Sequence, residues 1–378
     1  MLIVLESFAA YQIRKVPELE PSRRAMILYT SGTTNLPKGV VSTHSNIQAQ
    51  IESLVGAWAW SSSDCIPLFL PLHHIHGIIN VVSCALWAGA MIESYSRFDL
   101  SVLLPRVVAD AYTVFMAVPT IYVKLIQALE GMSDEERAML TRAFSRLRLM
   151  VSGSAALPAS VHKKWTALTG QRLLERYGMT EIGMALSNPY EGERRAGSVG
   201  LPLPNVAVRL KSEAGELVSG EGVPGEIQVK GPAVFLEYWN RPEATRASFD
   251  RGWFRTGDVA VRENSYFRIM GRLSVDIIKS GGYKLSALEI EAVLLEHSRV
   301  KECAVIGVMD EVWGEAVAAA IVLNDSGELD LIDLRDWCRE RMSVYKIPQR
   351  LTVVKELPRN AMGKVTKPAL KPLFDAGD

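Results

Sequence analysis

The sequence predicts an α/β fold, with a large layered α/β domain that carries a β subdomain and a small second domain of α+β type. Up to about residue 270, β-rich runs such as TVFMAV at 113–118 alternate with helical runs, which is typical of layered α/β architecture. Glycine and proline punctuate 197–231, which favours short strands and turns. The pattern of predicted elements changes after 266–272, and the following residues, about 100 in number, are expected to form a compact unit. We therefore expect one domain at 1–271 and another at 272–378.

Individual elements follow from local patterns. Residues 26–28, Met-Ile-Leu, are predicted as the end of a buried strand because they are apolar and precede a glycine-containing loop. In the second domain the predicted order is helix, strand, strand, helix, strand, and Ser286 with Glu289 forms a capping box that starts the first helix. Further strands are predicted at 146–151, 172–177, 207–210 and 225–231.

Composition excludes several classes of protein. The 42 basic residues balance 42 acidic ones, so no overall charge favours nucleic acid or an anionic membrane. Cys65, Cys84, Cys303 and Cys338 lack metal or disulfide spacing and are expected as small core residues in a reducing compartment. No run of 18 apolar residues predicts a membrane span, and the start makes a poor secretory signal. We expect the cytoplasm or the mitochondrial matrix.

The segment YTSGTTNLPKGV at 29–40 is the first candidate binding site. Small residues let backbone N–H groups approach an anion, hydroxyls add donors and Lys38 adds a charge. A Walker P-loop is excluded because Lys38 precedes Gly39 and Val40 follows where that motif needs serine or threonine. Taken alone, the segment also fits an ordinary connection between elements.

Four more motifs follow in order: RYGMTE at 176–181, GWFRTGD at 252–258, GRLSVDIIKSGGYKLSALEIE at 271–291 and LPRNAMGK at 357–364. Together the five motifs resemble the signature set of the adenylate-forming superfamily, which includes acyl-CoA synthetases, peptide-synthetase adenylation domains and luciferases. This resemblance implies a two-step reaction. ATP and a carboxylic acid give an acyl-adenylate and pyrophosphate, and in acyl-CoA synthetases the thiol of coenzyme A then displaces AMP.

The resemblance also implies roles for residues at the matching positions. The β- and γ-phosphates of ATP would be cradled by Thr30, Ser31, Gly32, Thr33, Thr34 and Lys38. The rest of the nucleotide would meet Gly153, Ser154 and Ala155 beside adenine, Tyr177 on the adenine face, and Asp258 with Arg272 at the ribose. Catalysis would use Lys364 and Thr180 at the α-phosphate and Glu181 as the Mg²⁺ ligand. The plainer alternatives are that Asp258 only forms a turn, that Tyr177 is a core aromatic residue and that Lys364 is a surface charge.

In this family the small domain rotates between the two half-reactions, so we expect a mobile second domain. Gly281 and Gly282 fit a backbone that passes close to coenzyme A. The hinge normally follows a Gly-Arg pair, which makes Ser274 and Asp276 the two hinge candidates here.

Within the superfamily, four segments are similar to segments of malonyl-CoA synthetases: LPLHHIHG, FMAVPTIY, LMVSGSAALP and LLERYGMTEIGMALSNP. A dicarboxylic acid brings a second carboxylate that needs a cation, and a guanidinium can bind it with two hydrogen bonds. Arg176 is the candidate, with His76 and Ser152 as supporting donors. Alternatively, Arg176 pairs with Glu175 at the surface, or the HHIH segment holds a metal.

The expected small-molecule partners are malonate, or methylmalonate, with ATP, Mg²⁺ and coenzyme A. Four other functions stay open: a ligase for a medium-chain or aromatic acid, an ATP-binding pseudoenzyme, a carrier-loading adenylation domain and a luciferase-like oxidase. The chain starts 28 residues before the phosphate loop, whereas full-length relatives carry a much longer portion there. A truncated chain of this kind is expected to expose apolar surface.

Overall fold

A computed structural model describes residues 18–30, 37–324, 327–359 and 365–375. Its first part, up to residue 187, alternates helices with short strands, as the sequence predicts. In chain order the elements are β1 (Arg24–Thr30), β2 (Lys38–Thr43), α1 (His44–Ala57), β3 (Cys65–Leu68), a π-helix (His76–Ser83), α2 (Cys84–Ala88), β4 (Met91–Ser94), α3 (Leu100–Val108), β5 (Val114–Ala117), α4 (Pro119–Glu130), α5 (Asp134–Ser145), β6 (Leu149–Ser152), α6 (Ala159–Thr169), β7 (Leu174–Met179) and β8 (Gly183–Ser187).

A buried five-stranded sheet carries most of the site. After β8 comes the two-residue strand β9 (Leu201–Pro202), and the sheet order is β5-β6-β7-β8-β9. The pairs β5–β6 and β6–β7 are parallel, whereas β7–β8 and β8–β9 are antiparallel. Both faces of β5 are covered, because Val114 and Met116 pack into one core cluster while Phe115 and Ala117 pack into another. That burial explains the continuous apolar runs that predicted these strands.

The β subdomain forms where the sequence is rich in glycine and proline. Its elements are β10 (Ala207–Lys211), β11 (Gly225–Lys230), β12 (Glu237–Tyr238), α7 (Pro242–Ala247), β13 (Phe249–Asp250), β14 (Trp253–Glu263) and β15 (Tyr266–Arg272). The strands β10-β11-β14-β13 form an antiparallel sheet with β15 on β14, while β12 instead pairs with β2. This last pairing joins the subdomain to the hairpin that flanks the phosphate loop.

The remaining residues form the small α+β unit that the sequence predicts. Its elements are β16 (Ile277–Ser280), β17 (Tyr283–Ser286), α8 (Ala287–Leu294), β18 (Val300–Asp310), β19 (Gly314–Leu323), α9 (Leu331–Arg339), a 3₁₀ turn (Val344–Lys346), β20 (Arg350–Val353), a second 3₁₀ turn (Lys367–Leu370) and α10 (Pro372–Asp375). The sheet order is β17-β16-β19-β18, and β20 pairs with β19 in parallel. Alternate residues of β19 serve two cores: Val317, Ala319 and Ile321 lie on one face, with Ala316, Ala318 and Ala320 on the other.

The fold class is confirmed, but two local predictions need correction. Residues 26–28 do lie in a strand, yet β1 is not buried: Ile27 is 38% exposed, because β1 is the edge strand of the three-stranded sheet β1-β2-β12. At the start of α8, Ser286 Oγ accepts from the Glu289 N–H at 3.1 Å as expected. However, the Glu289 carboxylate accepts from Lys346 Nζ at 2.6 Å, so half of the capping box is replaced by an ion pair.

The described helices were also compared with the length and hydropathy that a membrane span requires. None of the helices in the described ranges is both long enough and apolar enough to cross a bilayer.

Candidate active site

The candidate residues gather at the carboxyl ends of two neighbouring parallel strands. Ser152 is the last residue of β6, and it pairs in parallel register with Glu175 of β7. Gly153, Ser154 and Ala155 follow β6 directly, while Arg176 and Tyr177 continue along β7. The carboxyl edge of a parallel sheet is where open α/β proteins bind ligands. The two segments predicted for the acid and for adenine are therefore adjacent.

Arg176 is buried rather than on the surface. Its Nη2 donates to Ser154 Oγ at 3.2 Å, and no described carboxylate lies within ion-pair distance of it. Glu175 is excluded as its partner, because Glu175 Oε1 accepts from the Gly197 N–H at 3.0 Å. Burial lowers the pKa of the Arg176 guanidinium to about 10, which still leaves it charged at neutral pH. Among the described residues, this buried cation therefore has no anionic partner.

Glycine at 153 makes room for this guanidinium. A Cβ atom at that position would lie 2.5 Å from both Cζ and Nε of Arg176, which is closer than van der Waals contact allows. The next residue, Ser154, has a left-handed backbone with φ of +69°, which is uncommon for serine. Its hydroxyl oxygen lies 3.1 Å from His76 Nδ1 as well as near Arg176. The segment predicted to lie beside adenine thus shares a hydrogen-bond network with the residues predicted to bind the acid.

Unpartnered polar atoms concentrate among these residues. Among the described residues, His76 Nε2, Ser152 Oγ and Arg176 Nε are buried without a hydrogen-bond partner, and they account for three of the seven such atoms. Buried polar groups are nearly always bonded, so three unsatisfied atoms among such close neighbours indicate a place for a polar ligand. Burial, reinforced by the charge of Arg176, lowers the pKa of His76 well below its ordinary value. The imidazole is therefore neutral at physiological pH.

The neighbouring histidines do not form a centre with His76. The rings of His73 and His74 lie 4.4 Å apart. His73 is exposed and His74 is partly exposed, whereas His76 is buried as the first residue of the π-helix. Within the described ranges, no group of three or more His, Cys, Asp or Glu residues is arranged to hold a metal ion.

Asp258 and Arg272 face each other across β14 and β15, where they are register partners. Arg272 Nε lies 3.0 Å from Asp258 Oδ1, and the Tyr177 hydroxyl donates to Asp258 Oδ2 at 2.7 Å. Burial raises the pKa of the Asp258 carboxyl, while Arg272 and the tyrosine hydroxyl oppose this rise. Asp258 is thus more than a turn residue, since it joins the ring predicted for adenine to the cation predicted for the ribose.

Glu181 lies in the turn between β7 and β8, beside Thr180. Its carboxylate accepts from the Tyr238 hydroxyl at 2.9 Å, and Lys38 Nζ lies 4.9 Å from the centre of the same tyrosine ring. Burial raises the pKa of Glu181, and the hydrogen bond from Tyr238 together with the charges of Arg272 and Lys38 lowers it in turn. Tyr238 therefore connects the predicted Mg²⁺ ligand with the predicted phosphate lysine.

The segment predicted as the phosphate loop lies between β1 and β2 in the sequence. Thr30 ends β1 and pairs with Lys38, which starts β2. Several predicted site residues fall outside the described residues, namely Ser31, Gly32, Thr33, Thr34 and Lys364. Their predicted roles stay predictions.

The two hinge candidates differ in how firmly they are held. Ser274 is an exposed turn residue between β15 and β16. Asp276 is anchored: its Oδ2 accepts from the Arg272 N–H at 2.9 Å and its carbonyl oxygen accepts from the Ala287 N–H at 2.8 Å. Gly281 and Gly282 form the tight turn between β16 and β17, with φ of +56° and +83°, a combination that favours glycine at both positions.

Two relevant residues were missed from the sequence. Tyr238 lies in a two-residue strand that approaches Glu181 only because β12 pairs with β2, so no local pattern marks it. Lys367 forms ion pairs with Asp276 and Glu291. Only a weak indication of its importance is present in the sequence, namely that it follows Lys364 by three residues.

Comparisons with known proteins show the family. Residues 4–239 match the AMP-binding enzyme family, and residues 289–364 match the AMP-binding enzyme C-terminal domain. The mitochondrial malonate–CoA ligase ACSF3 of Bos taurus is 47% identical over 91% of this chain, and the chain spans 63% of that protein's length. These matches cover both halves of the chain.

Two solved structures extend the comparison. ATP-bound MatB from Rhodopseudomonas palustris superposes with a TM-score of 0.85 at 36% identity, covering 95% of this chain and 69% of that one. A malonyl-CoA ligase in a ternary product complex with methylmalonyl-CoA and AMP is 41% identical over 91% of this chain and 74% of its own, yet its TM-score is 0.64. The overall arrangement is therefore closer to the ATP-bound relative. With both family domains matched along most of its length, this chain belongs to the AMP-binding, adenylate-forming enzymes, among their AMP-forming acid–CoA ligases.

Proposed function

We propose that this chain activates malonate with ATP and transfers the malonyl group to coenzyme A, giving malonyl-CoA, AMP and pyrophosphate. The observation that carries the proposal is the buried guanidinium of Arg176, which has no carboxylate partner among the described residues. An uncompensated buried cation is costly, and a ligand carboxylate removes that cost. A monocarboxylic acid uses its only carboxylate in the reaction and leaves the cation unpaired.

The second carboxylate of malonate would therefore bind in the pocket formed by Arg176, His76 and Ser152. The unpartnered Arg176 Nε, with Nη2, can donate to a carboxylate. The Ser152 hydroxyl is a further donor, and neutral His76 can donate from whichever ring nitrogen carries the proton. A medium-chain or aromatic acid would instead place apolar carbon against these atoms and leave all of them unsatisfied.

In the first half-reaction, an oxygen of the other malonate carboxylate attacks the α-phosphorus of ATP. The bond from the α-phosphorus to the oxygen bridging to the β-phosphate breaks, and pyrophosphate leaves. Lys364 and Thr180 would stabilise charge at the α-phosphate, while Lys38 and the loop from Thr30 to Thr34 would hold the departing phosphates. Asp258 with Arg272 would bind the ribose, and Tyr177 would stack on adenine.

The donor set around Glu181 fits a hard cation. A buried carboxylate whose Oε1 is oriented by the Tyr238 hydroxyl, on a residue that follows Thr180 in the sequence, offers the oxygen ligand that Mg²⁺ prefers. When bound there, Mg²⁺ would neutralise charge on the ATP phosphates.

In the second half-reaction the thiol sulfur of coenzyme A attacks the malonyl carbonyl carbon. The bond between this carbon and the AMP oxygen breaks, so AMP leaves with that oxygen. The turn at Gly281 and Gly282 would pass close to the pantetheine arm after the small domain rotates. The similarity to the ATP-bound relative supports an arrangement suited to the first half-reaction. For the compartment we propose the mitochondrial matrix or the cytoplasm, and the Bos taurus relative is named as mitochondrial.

The test is acid-dependent exchange of labelled pyrophosphate into ATP by the purified 378-residue chain. Malonate, methylmalonate, acetate, octanoate and coumarate are compared in parallel, and ATP binding is measured by calorimetry. We expect exchange with malonate, alone or with methylmalonate. Exchange with only a monocarboxylic acid would overturn the assigned substrate, and ATP binding without any exchange would indicate a nucleotide-binding pseudoenzyme.

A further inference from the structure

A buried cluster of three charged residues lies outside the site described above. Lys367 Nζ lies 2.5 Å from Asp276 Oδ1 and 2.7 Å from Glu291 Oε1. The side chains of Lys367, Asp276 and Glu291 are only 10%, 15% and 14% exposed. Surface ion pairs contribute little, but this cluster is shielded from water on all three members. Such a cluster fixes the relative positions of the segments that contribute to it.

The first of these segments is the one that carries Lys364. Val365 pairs with Arg359 in an isolated β-bridge, and the Thr366 N–H donates to the Pro358 carbonyl oxygen at 2.7 Å. Lys364 immediately precedes Val365 in the sequence. Lys367 starts the 3₁₀ turn that comes next, two residues beyond Val365.

The second segment is the turn between β15 and β16, which holds both hinge candidates. Asp276 uses its two carboxylate oxygens for different partners: Oδ1 meets Lys367, and Oδ2 accepts from the Arg272 N–H. Arg272 in turn pairs with Asp258. A short chain of contacts therefore runs from Lys367 through Asp276 and Arg272 to the carboxylate proposed to bind ribose.

The third segment is α8, which provides Glu291. The same Oε1 that faces Lys367 accepts from the Val305 N–H of β18 at 2.7 Å. Burial raises the pKa of Glu291, while the nearby Lys367 charge opposes that rise. Without the ammonium group, two carboxylates would share a buried site, which is strongly unfavourable. Lys367 is therefore the residue on which this cluster depends.

We propose that Lys367 is a positioning residue for the segment 365–371, which directly follows Lys364 in the sequence. Its two ion pairs tie this segment to the anchored end of the hinge turn, so the turn and that segment move as one body. This inference rests on the proposed function for its catalytic consequence, since it assigns to Lys364 the adenylating step. It also has a physical consequence that needs no substrate, because the two segments protect each other from opening.

The test replaces Lys367 with methionine, which keeps the length of the side chain and removes its charge. Lys371→Met is the matched control, because Lys371 is exposed and lies in the same C-terminal segment. Amide hydrogen exchange of the whole chain is measured by mass spectrometry for 272–276 and 365–371. We expect Lys367→Met to speed exchange in both segments by at least about tenfold, with no change in Lys371→Met. Faster exchange in only one segment, or in neither, would overturn the proposal.

The same variants are then assayed in the two half-reactions with malonate. We expect Lys367→Met to lower pyrophosphate exchange by about 10- to 100-fold, because a displacement of about 1 Å costs that much. Transfer to coenzyme A from chemically prepared malonyl-adenylate should change by less than about threefold. Lys367→Arg, which keeps the charge, should restore exchange. Equal loss in both half-reactions, without rescue by arginine, would reduce Lys367 to a structural role and contradict the proposal.

Failure of the proposed function would look different. If the wild-type chain exchanges pyrophosphate with none of the acids, the proposed substrate and activity are wrong, while the hydrogen-exchange comparison still decides whether Lys367 couples the two segments.

Discussion

At the scale of single residues, two ionisable groups in adjacent positions of β7 have opposite surroundings. The Arg176 guanidinium donates to Ser154 Oγ, whereas Glu175 accepts from the Gly197 N–H. Successive side chains of a strand point to opposite faces, so the neighbours do not neutralise each other. The Arg176 guanidinium is therefore available to a ligand, whereas the Glu175 carboxyl is bonded within the protein interior.

Replacing Arg176 by alanine should abolish exchange with malonate, a loss of at least about 100-fold, because a buried cation that pairs with a carboxylate contributes several kcal/mol. ATP affinity should stay within about threefold of wild type, because the nucleotide contacts are on other residues. Gly153→Ala should also impair malonate use, since the added Cβ would displace the guanidinium. Arg172→Ala, at an exposed position two residues before β7, is the control. Unchanged malonate kinetics in Arg176→Ala would remove the assignment.

The raised pKa of the Glu175 carboxyl predicts that the stability of the protein depends on pH. Burial raises the pKa of its carboxyl to about 8, from an ordinary value near 4.5. The folded protein therefore binds one proton more than the unfolded chain between these two values. Unfolding free energy should fall as pH rises through this window, by at most about 1.4 kcal/mol per pH unit from this group.

Glu175→Gln removes this dependence while keeping an acceptor for Gly197. The free energy of unfolding of the variant minus that of wild type should rise by about 1 to 3 kcal/mol as the pH is raised from about 5.5 to 8. Both free energies are measured by urea unfolding. The exposed Glu191→Gln serves as the control. Parallel pH profiles for Glu175→Gln and wild type would contradict the prediction.

At the scale of elements, one buried carboxylate holds together the starts of several strands. Asp64 precedes β3 and accepts from Arg148 Nε at 2.7 Å, from Arg148 Nη2 at 2.6 Å and from the Thr113 hydroxyl at 2.7 Å. Thr113 precedes β5 and Arg148 precedes β6. Strand β6 was predicted to start at residue 146, but the structure starts it at Leu149 because Arg148 is drawn into this network.

Asp64→Asn should lower the free energy of unfolding by about 3 kcal/mol at neutral pH, because it leaves the Arg148 charge without its partner. Burial raises the pKa of Asp64, but the hydrogen bonds from Arg148 and Thr113 outweigh burial and bring it below its ordinary value. The stabilising contribution is thus present above the unfolded pKa and is lost as pH falls through the folded one. The difference in unfolding free energy between wild type and Asp64→Asn, measured by thermal unfolding, should therefore become smaller at acidic pH.

The surface pair between Arg146 and Asp110 provides the control, since both side chains are about half exposed. Asp110→Asn should change stability by less than about 1 kcal/mol. A deficit of Asp64→Asn no larger than that of Asp110→Asn would show that the network does not stabilise the strand starts.

At the scale of the whole molecule, the small domain contacts the β subdomain through exposed charges. Lys279 and Lys284 of the β16–β17 hairpin lie 3.2 and 3.3 Å from Glu213 Oε1, in the loop after β10. Each exposed pair contributes little and is screened by salt. These pairs add to a buried contact in which Ile277 packs against Val259, Val261 and Met270. Because they are exposed, the two pairs can break without loss of buried surface, and they therefore tune the balance between arrangements of a domain proposed to rotate.

Glu213→Gln should therefore shift the balance towards coenzyme A transfer. The ratio of transfer to pyrophosphate exchange should rise by about two- to fivefold at low ionic strength, and this difference should disappear at about 0.5 M salt, where the Debye length is only a few ångströms. Glu216→Gln, at an exposed position of the same loop, is the matched control. A ratio that is the same in Glu213→Gln and wild type at every salt concentration would contradict this role.

Motifs with fixed spacing were enough to predict the family, the fold class and the order of the elements. These features depend on interactions close in sequence, such as the periodic burial of strands or the glycine pair at 281–282, and each leaves a local pattern. Arg176 was also chosen from the sequence, because a charged residue directly before the RYGMTE tyrosine is visible without coordinates, and its role stays a prediction. The exposure of β1 was predicted wrongly, since apolar content does not reveal whether a strand lies at a sheet edge.

Only the tertiary structure decided which charges meet. Arg176 is buried without a described carboxylate, Tyr238 reaches Glu181 from 57 residues away, and Lys367 reaches Asp276 across 91 residues. A pairing over such distances depends on how strands from separate parts of the chain come together, and nothing in either local segment encodes it. The sequence was thus enough to select candidate functional residues. The partners of these residues depend on the packing of the whole chain. The same packing leaves Arg176 without a described anionic partner, which is the basis for the proposed dicarboxylic acid.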